Sequence, residues 1–280
     1  AHGGADLWHR QDHEYMWADG SVSFLSNMLD LSHIRGSVVG FSVTCSNLSA
    51  TLELARKIRA RHPEKRIIMG GHALYLPSEV ARVPLDLADA ICRGEGERTL
   101  EEVVACDFKR LESVPGLYVP SDEGWKATPD RALITDLDAI RWPRLEDINL
   151  SLYEMRFLPL VGSRGCINKC NYCYDRHVMR HQYRTRSALN QTDEIQHLSS
   201  AFAVDHFPYN DSLLNGNVRV LEAKADEIVR RGLQVSYGGN LMVRDDMRDE
   251  LFPKLRKSGL TVALVGVESG SSATLRCMCK

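Results

Sequence analysis

Two blocks of alternating short apolar runs and amphipathic segments, parted by a stretch dense in proline and glycine, constrain this chain more than any single motif does. In the first block SVVGFSV (37–43) is rich in β-branched residues and reads as a buried strand. Leu48, Leu52, Ala55 and Ile58 then recur at helical spacing, with Asn47 or Ser49 placed to cap, and the segment ends at His62-Pro63. RIIMGGH (66–72) is a second strand closed by two glycines, and a short helix follows near 77–82. Ala88 to Cys92 read as a third strand, GEG as a turn and Thr99 to Ala105 as a helix. Such alternation predicts an α/β fold whose first domain, over 1–112, is a doubly wound, Rossmann-like parallel sheet.

From 113 to 159 the rhythm fails: Pro115, Gly116, Pro120, Gly124, Pro129, Pro143 and Pro159 punctuate short apolar pieces, so a linker or small hairpin is expected. Alternation returns over 160–280. FLPLVGSRGC, AFAVDHFPYND, QVSYGGN and TVALVGVESG read as strands with their following loops, and helices are expected over Ser187–Ser200, Val218–Arg231 and Met247–Ser258. Four such repeats predict a partial TIM-like barrel of parallel strands. The chain stops just after the fourth strand and starts without Met, so both ends are expected to be cut.

Composition removes several classes of partner. Of 280 residues 26% are charged, yet the formal net charge is −2, which favours neither nucleic acid nor an anionic membrane. No apolar run approaches the roughly 20 residues of a membrane helix, and the start carries no export signal, so a cytoplasmic protein is expected. Eight cysteines, three of them clustered, do not resemble a secreted disulfide framework.

The cluster is GSRGCINKCNYCYDR (162–176), in which Cys166, Cys170 and Cys173 are spaced C-x3-C-x2-C. Thiolates so close together bind zinc or an iron–sulfur cluster. Structural zinc needs a fourth ligand, for which His177 is the nearby candidate, giving a Cys3His structural or interaction module. Three features favour a cluster instead: three ligands leave one iron open for chemistry, the loop follows a strand whose C-terminal end is where parallel α/β folds place their sites, and Tyr172 precedes the last cysteine.

With that aromatic residue the loop resembles the signature of the radical S-adenosylmethionine (SAM) superfamily. The resemblance implies that Cys166, Cys170 and Cys173 bind a [4Fe–4S] cluster whose open iron chelates SAM, with Tyr172 against the adenine. Later segments match in order. Asn210 and Asp211 stand where the family contacts the SAM amino group, although its usual Gly-Gly-Glu is absent; Arg244 is placed for the SAM carboxylate, and Glu268 and Ser269 for the ribose or amino end.

Upstream, GFSVTCSN, IIMGGHALYLP and DAICRGEGERTL resemble the cobalamin-binding domain of the B12-dependent radical SAM enzymes, so the likeness spans about 36–280. It implies that Ser42, Thr44, Gly70 and Gly71 line a slot for the cobalamin nucleotide tail, with Asn47, His72, Gly94 and Glu95 at its rim. DLSHIRG (Asp30 to Gly36) separates Asp and His by one residue too many for the D-x-H-x-x-G motif, so no axial histidine is expected from it. Cys45, Cys92, Cys106, Cys277 and Cys279 are scattered and read as unreactive thiols. His177, His181 and His206 read as packed or solvated, and the basic run RHVMRHQYRTR (176–186) as a solvated face.

The resemblance implies one-electron cleavage of SAM to a 5′-deoxyadenosyl radical and, with cobalamin, methyl transfer to an unactivated carbon or phosphorus centre of a natural product or peptide. Cyclisation or rearrangement without methyl transfer is the alternative. An electron donor such as flavodoxin or ferredoxin is implied in either case.

Overall fold

The computed structural model describes residues 31, 34–146, 150 and 157–280, in two compact units, 1–133 and 134–280. Asp30, Ser32 and His33 of the DLSHIRG segment lie outside the described residues. No described helix is long and apolar enough to cross a membrane.

The first unit is built on a five-stranded sheet in the order β1-β2-β3-β4-β5. Strands β1 (Val38–Ser42), β2 (Arg66–Gly70) and β3 (Ala90–Cys92) are parallel; β4 (Leu117–Ser121) and β5 (Gly124–Ala127) continue antiparallel as a hairpin. The hairpin falls in the punctuated 113–159 stretch, and its pairing of Ile91 with Tyr118 makes it part of the first sheet. Among the described residues the parallel strands run in sequence order without the reversal that marks a doubly wound sheet. Helix α1 (Leu48–Arg61) buries Leu48, Thr51, Ala55 and Ile58, an i, i+3, i+7, i+10 stripe, against the core of Ile67, Met69, Leu74 and Ile91. Asn47 does not cap it through its side chain. Instead the Asn47 amide donates to Ser42 O (3.0 Å) and accepts from Thr44 N (2.8 Å), which pins the turn after β1. Helix α2 (Pro77–Val80) starts on proline, and Glu79 accepts the Tyr75 and Leu76 amides. Helix α3 (Glu97–Ala105) begins two residues earlier than the pattern suggests, with Thr99 fully buried.

In the second unit β8 (His206–Pro208), β9 (Ser236–Leu241) and β10 (Leu260–Val265) form a parallel sheet in sequence order, and Leu160 makes a parallel bridge to Tyr209 beside β8. The chain between them forms a short antiparallel pair, β6 (Ser163–Arg164) with β7 (Arg184–Thr185), around helix α4 (Asp175–Val178). Helices α5 (Ala188–Phe202) and α6 (Val218–Arg230) are capped by Ser187 and Asn217, whose side chains accept the Asn190 and Val220 amides. Their buried stripes, Ile195 and Leu198 on one and Leu221, Ala225 and Ile228 on the other, close over Phe207 and Tyr237. Helix α7 (Leu251–Lys257) is shorter than expected, since Asp245 to Glu250 offer almost no apolar face. Helix α8 (Ser272–Met278), capped by Ser271, was not anticipated from the sequence.

Candidate functional site

The three cysteines sit on a loop that the fold leaves little freedom to move. Gly165, just before Cys166, has φ +81° and packs so closely on Gln182 O that any side chain there would collide with it. Asn168 N donates to Cys166 Sγ (3.4 Å), Cys173 N to Cys170 O (3.2 Å), and Asn171 ties the loop to α8 through Met278 O (3.0 Å) and Cys277 O (2.8 Å). Cys166, Cys170 and Cys173 line one cavity, together with Asp175, Arg176, Met179 and His181. Burial first, and then the neighbouring Cys170, Cys173 and Asp175, push the Cys166 thiol up. Three thiolates in this space therefore ask for a positive partner.

Among the described residues no three His, Cys, Asp or Glu side chains converge on a position for one metal ion. A tetrahedral zinc site would need a fourth ligand beside the three cysteines. A cubane cluster takes each thiolate on a different iron, so it needs sulfurs around a shared cavity. His177, the fourth ligand of the zinc alternative, is exposed against the Tyr174 ring (6.3 Å between centroids), whereas His181 reaches the cavity. His206 is the first residue of β8, at the end away from the loops, where its Nδ1 pairs with Ser236 Oγ (2.8 Å).

The structure brings some of the expected SAM residues together and puts others to different use. Tyr172 and Glu268 meet: the Glu268 carboxyl is held below its ordinary range first by Lys280 (3.1 Å) and then by the Tyr172 hydroxyl. Glu268 also adopts φ +60°, an uncommon conformation that turns it back toward the cysteine loop, and Ser269 follows it with its amide on Val267 O (2.7 Å). Asn210 is exposed at the end of β8, beside Asp211, which is only 2% exposed. Asp211 accepts Gly162 N (2.8 Å) and Ser163 Oγ (2.7 Å), so it braces the root of the cysteine loop and does not face outward. Arg244 is likewise engaged, with its fork on Asp246 (Nε to Oδ1, 2.7 Å) and Nη1 on Gly216 O (3.2 Å).

Beneath Asp211 lies a residue the sequence reading passed over. Lys224 is 1% exposed on α6, its Nζ 3.9 Å from the Tyr209 ring centroid and 4.7 Å from that of Tyr237. Burial pushes Lys224 down to about 7 against the opposing pull of Asp211. The same burial, with Asp211 and Tyr237 nearby, pushes the Tyr209 hydroxyl up. Between pH 7 and the unfolded lysine value the unfolded chain binds the extra proton, so stability should rise with pH there by about 1.4 kcal/mol per unit. Chemical denaturation of the second unit at pH 7.5, 8.5 and 9.5 should show that rise, and Lys224→Met should flatten it.

In the first unit the expected cobalamin contacts gather at the C-terminal ends of the parallel strands: Ser42, Thr44 and Asn47 after β1, Gly70, Gly71 and His72 after β2, Gly94 and Glu95 after β3. The two glycines serve the chain's own packing. A side chain at Gly71 (φ +111°) would run into the Val43 backbone, and one at Gly70 would press on Cys92 Cβ at 3.3 Å. Thr44 Oγ1 is paired with Ser46 Oγ (2.9 Å), Glu95 is buried, and Ser42, Gly71 and His72 remain exposed. Cys45, Cys92 and Cys106 are separate from one another in sequence and setting, and burial pushes the Cys92 thiol up to about 11.

No family model matches the chain. It is 31% identical over 238 residues to the anaerobic magnesium-protoporphyrin IX monomethyl ester cyclase of Rubrivivax gelatinosus, an alignment covering 80% of this chain and 42% of that protein. It is 22% identical over 274 residues to an uncharacterised methyltransferase of Pyrococcus horikoshii, covering 95% of this chain and 60% of the relative. The chain thus spans about half the length of these curated relatives. Among solved structures it resembles the radical SAM methyltransferase TsrM of Kitasatospora setae with cobalamin and a [4Fe–4S] cluster bound, at a TM-score of 0.73, 16% identity, and 96% and 55% coverage of the two chains. The cobalamin-dependent radical SAM enzyme OxsB is similar at a TM-score of 0.72, 18% identity, and 95% and 39% coverage. The chain thus gathers three cysteines on one cavity and shares, along nearly its whole length, the fold of these two cobalamin-dependent radical SAM enzymes.

Proposed function

We propose that Cys166, Cys170 and Cys173 hold a [4Fe–4S] cluster and that the protein carries out SAM radical chemistry aided by cobalamin, with methyl transfer to an unactivated carbon or phosphorus centre as its reaction. The observation that carries this reading is the single cavity that the three cysteines line together. Such a cluster supplies one electron that splits bound SAM into methionine and a 5′-deoxyadenosyl radical, and cobalamin supplies a methyl carrier.

The chain's own residues orient these groups. Gly165 and Asn171 fix the loop, Asp211 braces its root, and Tyr172 with Glu268 forms a polar rim for the nucleoside. Arg244 can reach a SAM carboxylate only by releasing Asp246. The four parallel strand positions in sequence order fit part of a (βα) barrel, and the first sheet fits a Rossmann-like cobalamin domain whose ligand lies along Ser42, Thr44, His72 and Gly94. We place the boundary of that domain after the β4–β5 hairpin.

A likeness to the Rubrivivax cyclase at 31% identity favours a second reading: ring closure with the same cofactors and no methyl transfer. SAM labelled in its methyl group separates them. Label in the product, with 5′-deoxyadenosine released, supports methyl transfer; 5′-deoxyadenosine with unlabelled product supports cyclisation. An anaerobically purified protein that releases no 5′-deoxyadenosine contradicts both.

A further inference from the structure

The basic run 176–186 is a solvated face only in part: His177, His181 and Gln182 are exposed, but its last two arginines are not. Arg184 and Arg186 are 9% and 8% exposed. Arg184 donates to Ile134 O (2.6 Å) and Met179 Sδ (3.3 Å); Arg186 pairs with Glu194 and donates to Val161 O (3.0 Å) and Asn190 Oδ1 (2.6 Å). These two arginines build the frame behind the loop. Arg180 and His181, with φ of +50° and +58°, reverse the chain so that His181 returns to the cysteine cavity.

Arg176 is different. It lies on α4, three residues after Cys173, and lines the same cavity, yet its Nε is buried and has no hydrogen-bond partner, and it forms no ion pair among the described residues. An unpaired buried donor costs roughly 1–3 kcal/mol, so one on a residue that lines a cavity gains from any acceptor the cavity takes in. The acceptors that this cavity would gain are sulfurs.

We propose that Arg176 is a positioning residue for the cluster, donating its Nε–H to a cluster or cysteine sulfur and setting its positive charge against the reduced state. This rests on the cluster reading given above. Adding an electron raises the negative charge of a three-thiolate cluster, and a buried cation with an N–H···S bond offsets that charge and raises the reduction potential.

The test is an EPR-monitored redox titration, with iron and sulfide analysis, of the anaerobically reconstituted full chain as wild type, Arg176→Met and Arg176→Lys. Arg176→Met should keep its iron and sulfide, yet at a fixed applied potential its ratio of reduced to oxidised cluster should fall by about tenfold, the equivalent of about 59 mV for a one-electron couple. Arg176→Lys, which keeps the charge, should recover most of that loss. An unchanged midpoint in Arg176→Met overturns the proposal, and so does loss of iron from both variants, which would mark Arg176 as purely structural. A wild-type protein that binds no iron overturns the cluster reading itself, a result distinct from either.

Discussion

Exchanging any one of Cys166, Cys170 and Cys173 for serine is expected to reduce bound iron from about four atoms per chain to less than one and to abolish SAM cleavage. Each thiolate would hold a separate iron, and the fourth iron has no protein ligand to spare, so two anchors cannot keep the cube on the loop. The remaining cysteines offer no substitute. Cys277 and Cys279 are exposed on and beyond α8, where Cys277 meets the loop through its backbone carbonyl, the acceptor of the Asn171 side-chain amide. Cys277→Ser and Cys279→Ser should therefore retain full iron, measured by metal analysis of protein kept without air. Retention of iron in all three loop variants would move the metal site elsewhere.

Asp211→Ala should be the most damaging change outside the cysteines. Its carboxylate is the acceptor for Gly162 N and Ser163 Oγ at the root of the loop, in a site where burial pushes its own carboxyl up despite those bonds and the charge of Lys224. Truncation leaves the buried Gly162 N–H without its acceptor, leaves Ser163 Oγ only Leu213 O, and removes the charge that opposes the desolvation of Lys224, a loss of about 3 kcal/mol by analogy with other broken buried pairs. For a unit of this size that is roughly 10 °C in the unfolding midpoint. Asp211→Asn, which keeps one acceptor oxygen, should lose less than half as much. A midpoint within 2–3 °C of wild type for the alanine variant, roughly the effect of a surface substitution, would contradict the bracing role.

What could be read in the sequence was local. β-Branched runs such as Val38–Ser42 and the i, i+3, i+4 stripes of α1, α5 and α6 specify their own elements, and three cysteines within eight positions specify their loop. What escaped depends on partners far along the chain. Asp211 looks like an exposed loop acid until the Leu160–Tyr209 bridge sets it against Gly162, 49 residues away. Arg184 and Arg186 look like surface charge until β7 pairs with β6. Gly70 and Gly71 look like room for a ligand, and their lack of side chains also answers to Cys92 and Val43, which an added Cβ would meet. One signal was present and overlooked: Lys224 shares a face with Leu221, Ala225 and Ile228, the spacing of the buried stripe of α6. Helix α8 was also legible in part, because Ser271 and Ser272 precede a helix-forming run.

The most direct measurement of the central claim is the EPR spectrum of the anaerobically purified, dithionite-reduced protein, recorded before and after SAM is added. A cluster with one iron left free by Cys166, Cys170 and Cys173 should give a reduced [4Fe–4S] signal that changes shape when SAM binds. A signal that SAM leaves untouched, or stoichiometric zinc in a protein without iron, would contradict it.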